Sequence, residues 1–234
     1  MSEVNTIDQL LDKMWKDYIK LNPGAQKIVD LFKSRGDEVI NDHIALRTFN
    51  LDKVNIDVLA KPFIENGYKE SGDYHFEAKK LYAKHYQHSD PKKPKIFISQ
   101  LLVEQFSDKL QKTVHEIVEQ IKTEDIIKTD FTCSGRTWDI ASTTYEELYA
   151  ESEYAAWLSA IGFRPNHFTV FVNELDSFKG LEELNSVLKA EGFELNSSGG
   201  EIKGSEEVCL EQSSTKADKI TVQFSDKEMT IPSC

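Results

Sequence analysis

His43, Arg47 and His167 are the residues of this sequence whose types and positions could do chemistry together. The first histidine and the arginine lie four positions apart in residues 42–49, a short apolar segment typical of a strand. Because side chains alternate between the two faces of a strand, His43, Ala45 and Arg47 share one face. Imidazole is the commonest metal ligand among side chains, and guanidinium binds a carboxylate through two parallel hydrogen bonds.

The position of Arg47 predicts an anion beside it. A basic side chain on the inward face of an apolar strand is costly unless an anion meets it. At roughly 3.3 Å per residue, the Cα atoms of His43 and Arg47 lie about 13 Å apart, which suits a small anion held between a metal and the guanidinium. An ion pair with an internal Asp or Glu is the alternative that remains open.

A short internal repeat places the two histidines alike. Residues 41–46 resemble residues 165–170, because in each a polar residue precedes a histidine that opens an apolar strand. An amphipathic helix follows in each copy and ends in an acid or amide, a glycine and an aromatic residue. The histidine lies 24 residues before Gly67 in the first copy and 25 residues before Gly192 in the second. Two such units could share a central sheet and a metal site at His43 and His167, although each histidine could also simply begin its strand.

Helical and strand-like patterns alternate along the whole chain, which predicts an α+β fold. Apolar spacing indicates helices in residues 7–18, 23–36, 54–67, 106–121, 145–161 and 181–190. Alternating apolar segments indicate strands around residues 42–49, 74–76, 95–99, 168–172 and 219–224. Thr6 and Gln9 form a candidate capping box at the first helix, and Pro23 is expected to begin the second.

Composition excludes several classes of protein. Forty acidic and 28 basic residues give a net charge of −12 in 234 residues, which disfavours nucleic-acid binding. No apolar run approaches the roughly 20 residues that span a bilayer, and the N-terminus lacks the pattern of a secretory signal. Cys133, Cys209 and Cys234 form no CxxC pair, so we expect reduced thiols in a cytoplasmic protein without a membrane partner.

Five separated blocks resemble the 2-oxoadipate dioxygenase/decarboxylase family, also called hydroxyglutarate synthase. They are NDHIALRTF (41–49), YHFEAKKLYAKHY (74–86), RPNHFTVFVN (164–173), SGGEIKGS (198–205) and LEQSSTKAD (210–218). The family is related in fold to the vicinal oxygen chelate enzymes. The resemblance therefore implies one domain, residues 1–234, of two fused β-α-β-β-β modules at about 41–105 and 164–234. These modules would form a central curved sheet, with helical additions at 5–36 and 106–162.

The resemblance also implies a reaction and a site. The reaction converts 2-oxoadipate and O2 to 2-hydroxyglutarate and CO2, a late step of lysine breakdown. It implies Fe(II) held by two histidines and a glutamate, with the histidines at His43 and His167. It places the substrate-binding arginine at Arg47 and a pocket glutamine at Gln212. Such a ligand set leaves open positions for a chelating 2-oxo acid and O2.

The third ligand departs from the family pattern. The family's glutamate is expected just beyond Cys234, in a strand that follows an IPSC-like segment, and Glu201 and Glu211 are the nearest acidic candidates within the sequence. Two other functions therefore remain open. One is a glyoxalase-type metal-dependent isomerase or lyase, and the other is a non-catalytic small-molecule-binding relative.

Four further histidines are assigned no function. His85 and His88 lie in a polar, lysine-rich stretch and His115 on a helix surface, so all three are expected at the surface. His75 could face either the pocket or solvent.

Overall fold

The chain forms eight α-helices and nine strands within residues 6–205 and 210–233, which the computed structural model describes. The helices are α1 (Ile7–Leu21), α2 (Pro23–Ser34), α3 (Ile56–Ile64), α4 (Asp108–Glu119), α5 (Thr123–Ile126), α6 (Ser142–Glu151), α7 (Glu153–Ile161) and α8 (Leu181–Ala190). The strands are β1 (Asn41–Phe49), β2 (Lys69–Phe76), β3 (Leu81–Gln87), β4 (Lys95–Leu101), β5 (Pro165–Val170), β6 (Lys203–Ser205), β7 (Leu210–Gln212), β8 (Lys219–Gln223) and β9 (Glu228–Pro232). The α+β class is confirmed.

A five-stranded mixed sheet in the order β2-β3-β4-β1-β5 forms the centre of the fold. β1 runs parallel to β4 and antiparallel to β5, while β3 is antiparallel to both β2 and β4. The first predicted unit is complete, because β1, α3, β2, β3 and β4 follow one another as β-α-β-β-β. Of the second unit, β5 alone joins this sheet.

The later strands of the second unit differ from the expectation of a shared central sheet. β6 pairs with β7, and β8 pairs with β9, in two separate two-stranded sheets. β6 and β7 have only three residues each, and the side chains of β8 alternate between exposed and half-buried. The β8–β9 pair instead packs one apolar face, with Ile220, Val222 and Ile231, against the main core from outside the central sheet.

β1 divides the two faces of the central sheet as the alternation predicts. Ile44 and Leu46 are almost fully buried on the face against which α3 packs, beside Ile96 and Ile98 of β4. The opposite face carries the half-buried side chains of His43 and Arg47. The apolar face therefore provides a rigid support for the polar one.

The N-terminal helices begin as predicted. Thr6 caps α1 through a capping box in which its hydroxyl accepts from the backbone of Gln9 and the Gln9 side chain accepts in return. Pro23 occupies the first turn of α2. In the described part of the chain, no helix is both long and apolar enough to cross a membrane. Cys133 is a buried free thiol, and Cys209 and Cys234 lie outside the described residues.

Gly162 makes the turn from α7 into β5. Its φ of 78° and ψ of −163° lie in a region that is open almost only to glycine. Its backbone also lies so close to the next segment that an added Cβ would be 2.2 Å from the carbonyl carbon of Gly135. Backbone hydrogen bonds of 3.0 and 3.1 Å join Gly135 to Phe163 there. This contact sets the starting point of the strand that carries His167.

A substitution at this turn tests the close approach. Gly36 also has a positive φ, of 97°, but an added Cβ would meet nothing within 4 Å. We expect Gly36→Ala to lower the free energy of unfolding by about 1 kcal/mol, the cost of a left-handed conformation. Gly162→Ala should cost about 1–3 kcal/mol more because it adds a steric overlap. Equal losses in urea denaturation would contradict the packing described for Gly135.

Candidate active site

Antiparallel pairing of β5 with β1 brings the two predicted histidines together. Ala45 lies opposite His167 and Thr169 lies opposite His43, so the two imidazoles are diagonal neighbours on one face. Their Nε2 atoms are 3.3 Å apart, although 124 residues separate them in the sequence. The ring planes are nearly perpendicular, at 82°. The internal repeat thus places its two histidines at one point.

This geometry fits two ligands of a single metal ion. Two imidazole nitrogens at about 2.1 Å from a metal and at right angles to each other lie about 3.0 Å apart. The observed 3.3 Å between the Nε2 atoms is close to that separation. His43 and His167 therefore have the spacing of a metal-binding pair.

Polar side chains contact the Nδ1 atoms of both imidazole rings. Asp42 Oδ2 is 2.7 Å from His43 Nδ1, and Lys95 Nζ is 3.1 Å from Asp42 Oδ1. The hydrogen bond with His43, aided by Lys95, lowers the pKa of Asp42 to about 2. Asn166 Nδ2 lies 3.0 Å from Nδ1 of the second histidine. Asp42 is thus a carboxylate that supports an imidazole.

His167 is neutral at neutral pH. Burial lowers its pKa to about 3, and the nearby His43 and Arg47 add to this shift. A neutral imidazole has a lone pair available for a metal, whereas a protonated one has none. Burial therefore keeps His167 uncharged, which is one of the conditions for metal binding.

Arg47 lies on the same sheet face, with its guanidinium against two aromatic rings. Its Cζ atom is 5.1 Å from the centre of the Tyr154 ring and 4.8 Å from that of Trp157. A shallow pocket adjoins this guanidinium, lined also by Tyr145, Tyr149, Glu153, Trp157 and Pro232. The predicted alternative of an ion pair is not observed, since no carboxylate among the described side chains lies within ion-pair distance of Arg47.

Tyr154 connects the arginine to the sheet. Its hydroxyl accepts from the backbone N–H of Thr48 at 3.0 Å and donates to the carbonyl of Ser99 at 2.7 Å, so it joins β1 and β4. Burial of this hydroxyl raises the pKa of Tyr154 to about 12. The indole of Trp157 donates to the carbonyl of Ser233 at 2.9 Å. Both rings beneath Arg47 are therefore held in place.

Within the described residues, three of the candidate site residues predicted from the sequence are not joined to the histidine pair or to Arg47. Gln212 has an exposed side chain on β7, and no hydrogen bond joins it to His43, His167 or Arg47 in the part of the chain described. Glu211 is also exposed, and Glu201 forms an ion pair with Lys189 at 3.0 Å.

Across residues 6–205 and 210–233, no group of three or more His, Cys, Asp or Glu side chains is placed to hold a metal. β9 reaches the Arg47 pocket at Pro232.

The other histidines stand apart from this pair. His115 is exposed on α4, as predicted, and His75 is exposed on β2 against the ring of Tyr82. His85 is half-buried, with its Nδ1 3.0 Å from the Tyr74 hydroxyl, and burial lowers its pKa. His88 is half-buried beside Tyr68.

Sequence reasoning assigned no role to Asp42, Asn166, Tyr154 or Trp157. A signal for the first two was present, because each immediately precedes a histidine in the same place of the repeat. Residues 145–161 were expected to form one helix, and the structure divides them between α6 and α7, whose aromatic side chains were given no role. They do pack, but on a side that also faces Arg47, and no local pattern reveals that side.

Comparison with known proteins decides the family. The profile of the family described as 2-oxoadipate dioxygenase/decarboxylase matches residues 1–132 and 131–233, which is nearly the whole chain. The chain belongs to the 2-oxoadipate dioxygenase/decarboxylase family. The Arabidopsis thaliana protein named 2-oxoadipate dioxygenase/decarboxylase, chloroplastic, is 34% identical over 232 residues, covering 93% of this chain. The chain spans 62% of that relative's length.

Solved structures of this family and of its wider fold agree. A crystal structure from Shewanella frigidimarina, described as that of a hydrolase, is 54% identical with a TM-score of 0.96, covering 100% of this chain and 91% of its own. The hydroxyglutarate synthase of Oryza sativa, in complex with 2-oxoadipate, is 31% identical with a TM-score of 0.90, over 99% and 82% of the two chains. A glyoxalase-superfamily protein of Ralstonia eutropha is 19% identical with a TM-score of 0.73, over 96% and 79%. This last likeness concerns the fold alone and agrees with the predicted fold class.

The support beneath Arg47 gives a stability prediction for this family member. Tyr154→Phe should lower the free energy of unfolding by about 1–3 kcal/mol, because the Thr48 N–H and the Ser99 carbonyl lose their shared partner. Tyr149, 49% exposed in the same pocket, provides the matched control. Tyr149→Phe should change stability by no more than about 0.5 kcal/mol. Urea denaturation of both variants checks this, and similar values for the two would show that Tyr154 does not hold β1 to β4.

Proposed function

We propose that the chain is an Fe(II)-dependent oxygenase that converts 2-oxoadipate and O2 to 2-hydroxyglutarate and CO2. The observation that carries the proposal is the approach of the His43 and His167 Nε2 atoms to 3.3 Å on the sheet face that also presents Arg47. The Oryza sativa hydroxyglutarate synthase, which is similar over 99% of this chain, was solved with 2-oxoadipate bound. Its ligand has the two carboxylates and the keto group that such a site could accommodate.

The proposed reaction balances without an external reductant. The six-carbon oxo acid loses one carbon as CO2, and the five-carbon hydroxy acid keeps the rest. One oxygen atom of O2 enters the new carboxylate and the other enters the hydroxyl group. The substrate therefore supplies all the electrons, and no nicotinamide or flavin is needed.

Each residue of the candidate site has its own role in the proposed reaction. His43 and His167 would hold the metal, while Asp42 and Asn166 orient their rings from the Nδ1 side. Bound Fe(II) would supply chelation of the 2-oxo acid and the redox chemistry with O2. Arg47 would bind the distal carboxylate through its planar guanidinium and so select the chain length of the substrate.

The proposal also includes the more specific predictions made from the sequence. Gln212 remains a proposed pocket residue, although its side chain is exposed on β7. The place in lysine breakdown and the cytoplasmic location are likewise proposals, and the Arabidopsis relative is named as chloroplastic. The third ligand is proposed as a glutamate beyond Cys234. Because two histidines alone are a weak Fe(II) site, a non-catalytic binding protein is the second candidate.

Turnover and metal content together test the function. Iron-loaded protein given 2-oxoadipate should consume O2 and release CO2 in equal amounts, measured with an oxygen electrode and by trapped CO2. His43→Ala and His167→Ala should each lose bound Fe(II) after anaerobic desalting. His115→Ala, an exposed histidine on α4, should retain it. Binding of 2-oxoadipate without O2 uptake would favour the non-catalytic candidate, and isomerisation without O2 uptake would favour the glyoxalase-type one.

Arg47 gives a second functional prediction. Arg47→Ala should lower kcat/KM for 2-oxoadipate about 10–100-fold, because a charge-assisted hydrogen-bonded pair with the distal carboxylate is lost. Its iron content should stay unchanged, since the side chain is not a ligand. Arg35→Ala is the matched control, because that guanidinium also stacks on an aromatic ring, Phe178, at 4.8 Å. Loss of iron from Arg47→Ala would mean that the arginine supports the metal site instead.

A further inference from the structure

The residue before each site histidine contacts the ring nitrogen that faces away from the other histidine. Asp42 Oδ2 lies 2.7 Å from His43 Nδ1. A carboxylate can only accept a hydrogen bond, so Nδ1 of His43 carries the proton in this contact. The Nε2 atom then carries the lone pair. Thr169 Oγ1, 3.0 Å from this Nε2, can donate its hydroxyl proton to it.

The equivalent contact at His167 has the opposite polarity. Asn166 Nδ2 lies 3.0 Å from His167 Nδ1, and an amide nitrogen can only donate. His167 Nδ1 is therefore the acceptor, and the ring proton is on Nε2. From there it is directed at His43 Nε2, 3.3 Å away. Along the line from Asn166 through both rings to Asp42 a donor faces each acceptor, and the Thr169 hydroxyl competes with His167 for the one lone pair of His43 Nε2.

This arrangement suits the metal-free pair but not a liganding pair. Both Nε2 atoms must be free of protons to bind one metal, so the proton of His167 must move from Nε2 to Nδ1. The Asn166 NH2 group would then face a second donor. Its Oδ1 atom, by contrast, is buried and has no hydrogen-bond partner. The oxygen and nitrogen ends of an amide have nearly the same size, so half a turn of the group exchanges them.

We propose that Asn166 is a positioning residue with two settings: its NH2 group holds His167 in the metal-free tautomer and its carbonyl oxygen holds the metal-binding one. Asp42, which offers only acceptors, keeps His43 in the metal-binding tautomer in both states. The proton of His167 moves between its two ring nitrogens through solvent, so the number of bound protons does not change. The inference rests on the proposed function, because it concerns metal binding by the same two histidines.

Two substitutions of similar shape, Asn166→Asp and Asn166→Leu, distinguish the two settings of the Asn166 amide. Asn166→Asp presents only acceptors, so it should favour the Nδ1 proton and bind Zn(II), used as a diamagnetic probe, at least as tightly as the unaltered chain. Asn166→Leu removes both settings and should weaken Zn(II) binding about 10–100-fold, as losses of partners behind ligating histidines commonly do. Asn185→Leu, which removes an equally buried amide that contacts Ser213 on a different element, should leave the Kd unchanged.

Nitrogen-15 NMR of the imidazoles supplies a reading that does not depend on catalysis. In the metal-free, unaltered protein we expect the ring proton on Nδ1 of His43 and on Nε2 of His167. Addition of Zn(II) should move the proton of His167 to Nδ1, and Asn166→Asp should produce that tautomer before any metal is added.

Two results would overturn the proposal: a metal-free His167 with its proton already on Nδ1, or a Zn(II) Kd for Asn166→Leu equal to that of the unaltered protein. If the unaltered chain binds no Zn(II), the metal site itself fails. The tautomers of the metal-free unaltered protein and of Asn166→Asp then still decide the role of Asn166. Far-ultraviolet circular dichroism of each variant excludes misfolding as the cause of a weaker Kd.

Discussion

Antiparallel pairing of β5 with β1 is the interaction on which the candidate site depends. Two side chains far apart in the sequence meet only because Ala45 lies opposite His167 in this register. Slippage by one residue would turn the histidine to the other face and bring Phe168 to the site. The aromatic ring of Phe168 prevents this, because it packs between Trp15 and Tyr18 of α1, 5.1 and 5.0 Å from their ring centres. The first helix therefore contributes to the site without touching it.

The second requirement is a guanidinium held in place without a carboxylate partner. An ion pair would neutralise Arg47 and compete with any anionic ligand. The Tyr154 and Trp157 rings instead give the side chain contact area and a weak electrostatic attraction, worth about 0.5–2 kcal/mol, while the charge remains available. Trp157 in turn donates to the Ser233 carbonyl, so the segment after β9 is fixed to the same helix. Helix α7 thus links the Arg47 pocket to the last described residues.

Some of this arrangement could be predicted from the sequence because it depends on local periodicity. Strand alternation was sufficient to place His43 and Arg47 on one face, and the repeat was sufficient to pair His43 with His167. The positions of β6 to β9 were not predictable in this way. Short, half-polar strands pair wherever tertiary contacts allow, and their sequence does not specify a neighbour. Gln212 was assigned to the pocket by resemblance, and the side chain lies exposed because β7 pairs with β6 outside the central sheet.

The net charge of the protein has the same sign as that of its proposed substrate. A chain with a net charge of −12 repels a dicarboxylate at long range. At physiological ionic strength, however, exposed charges are screened beyond about 8 Å, so the groups nearest the ligand decide its binding. Near the histidine pair these are Arg47 and Lys95. The carboxylate of Asp42 is already engaged by Lys95 and His43, and that of Glu153 lines the Arg47 pocket without an ion pair to Arg47. A metal ion at the two imidazoles would add further positive charge, so the proposed site would be a local exception in an acidic protein.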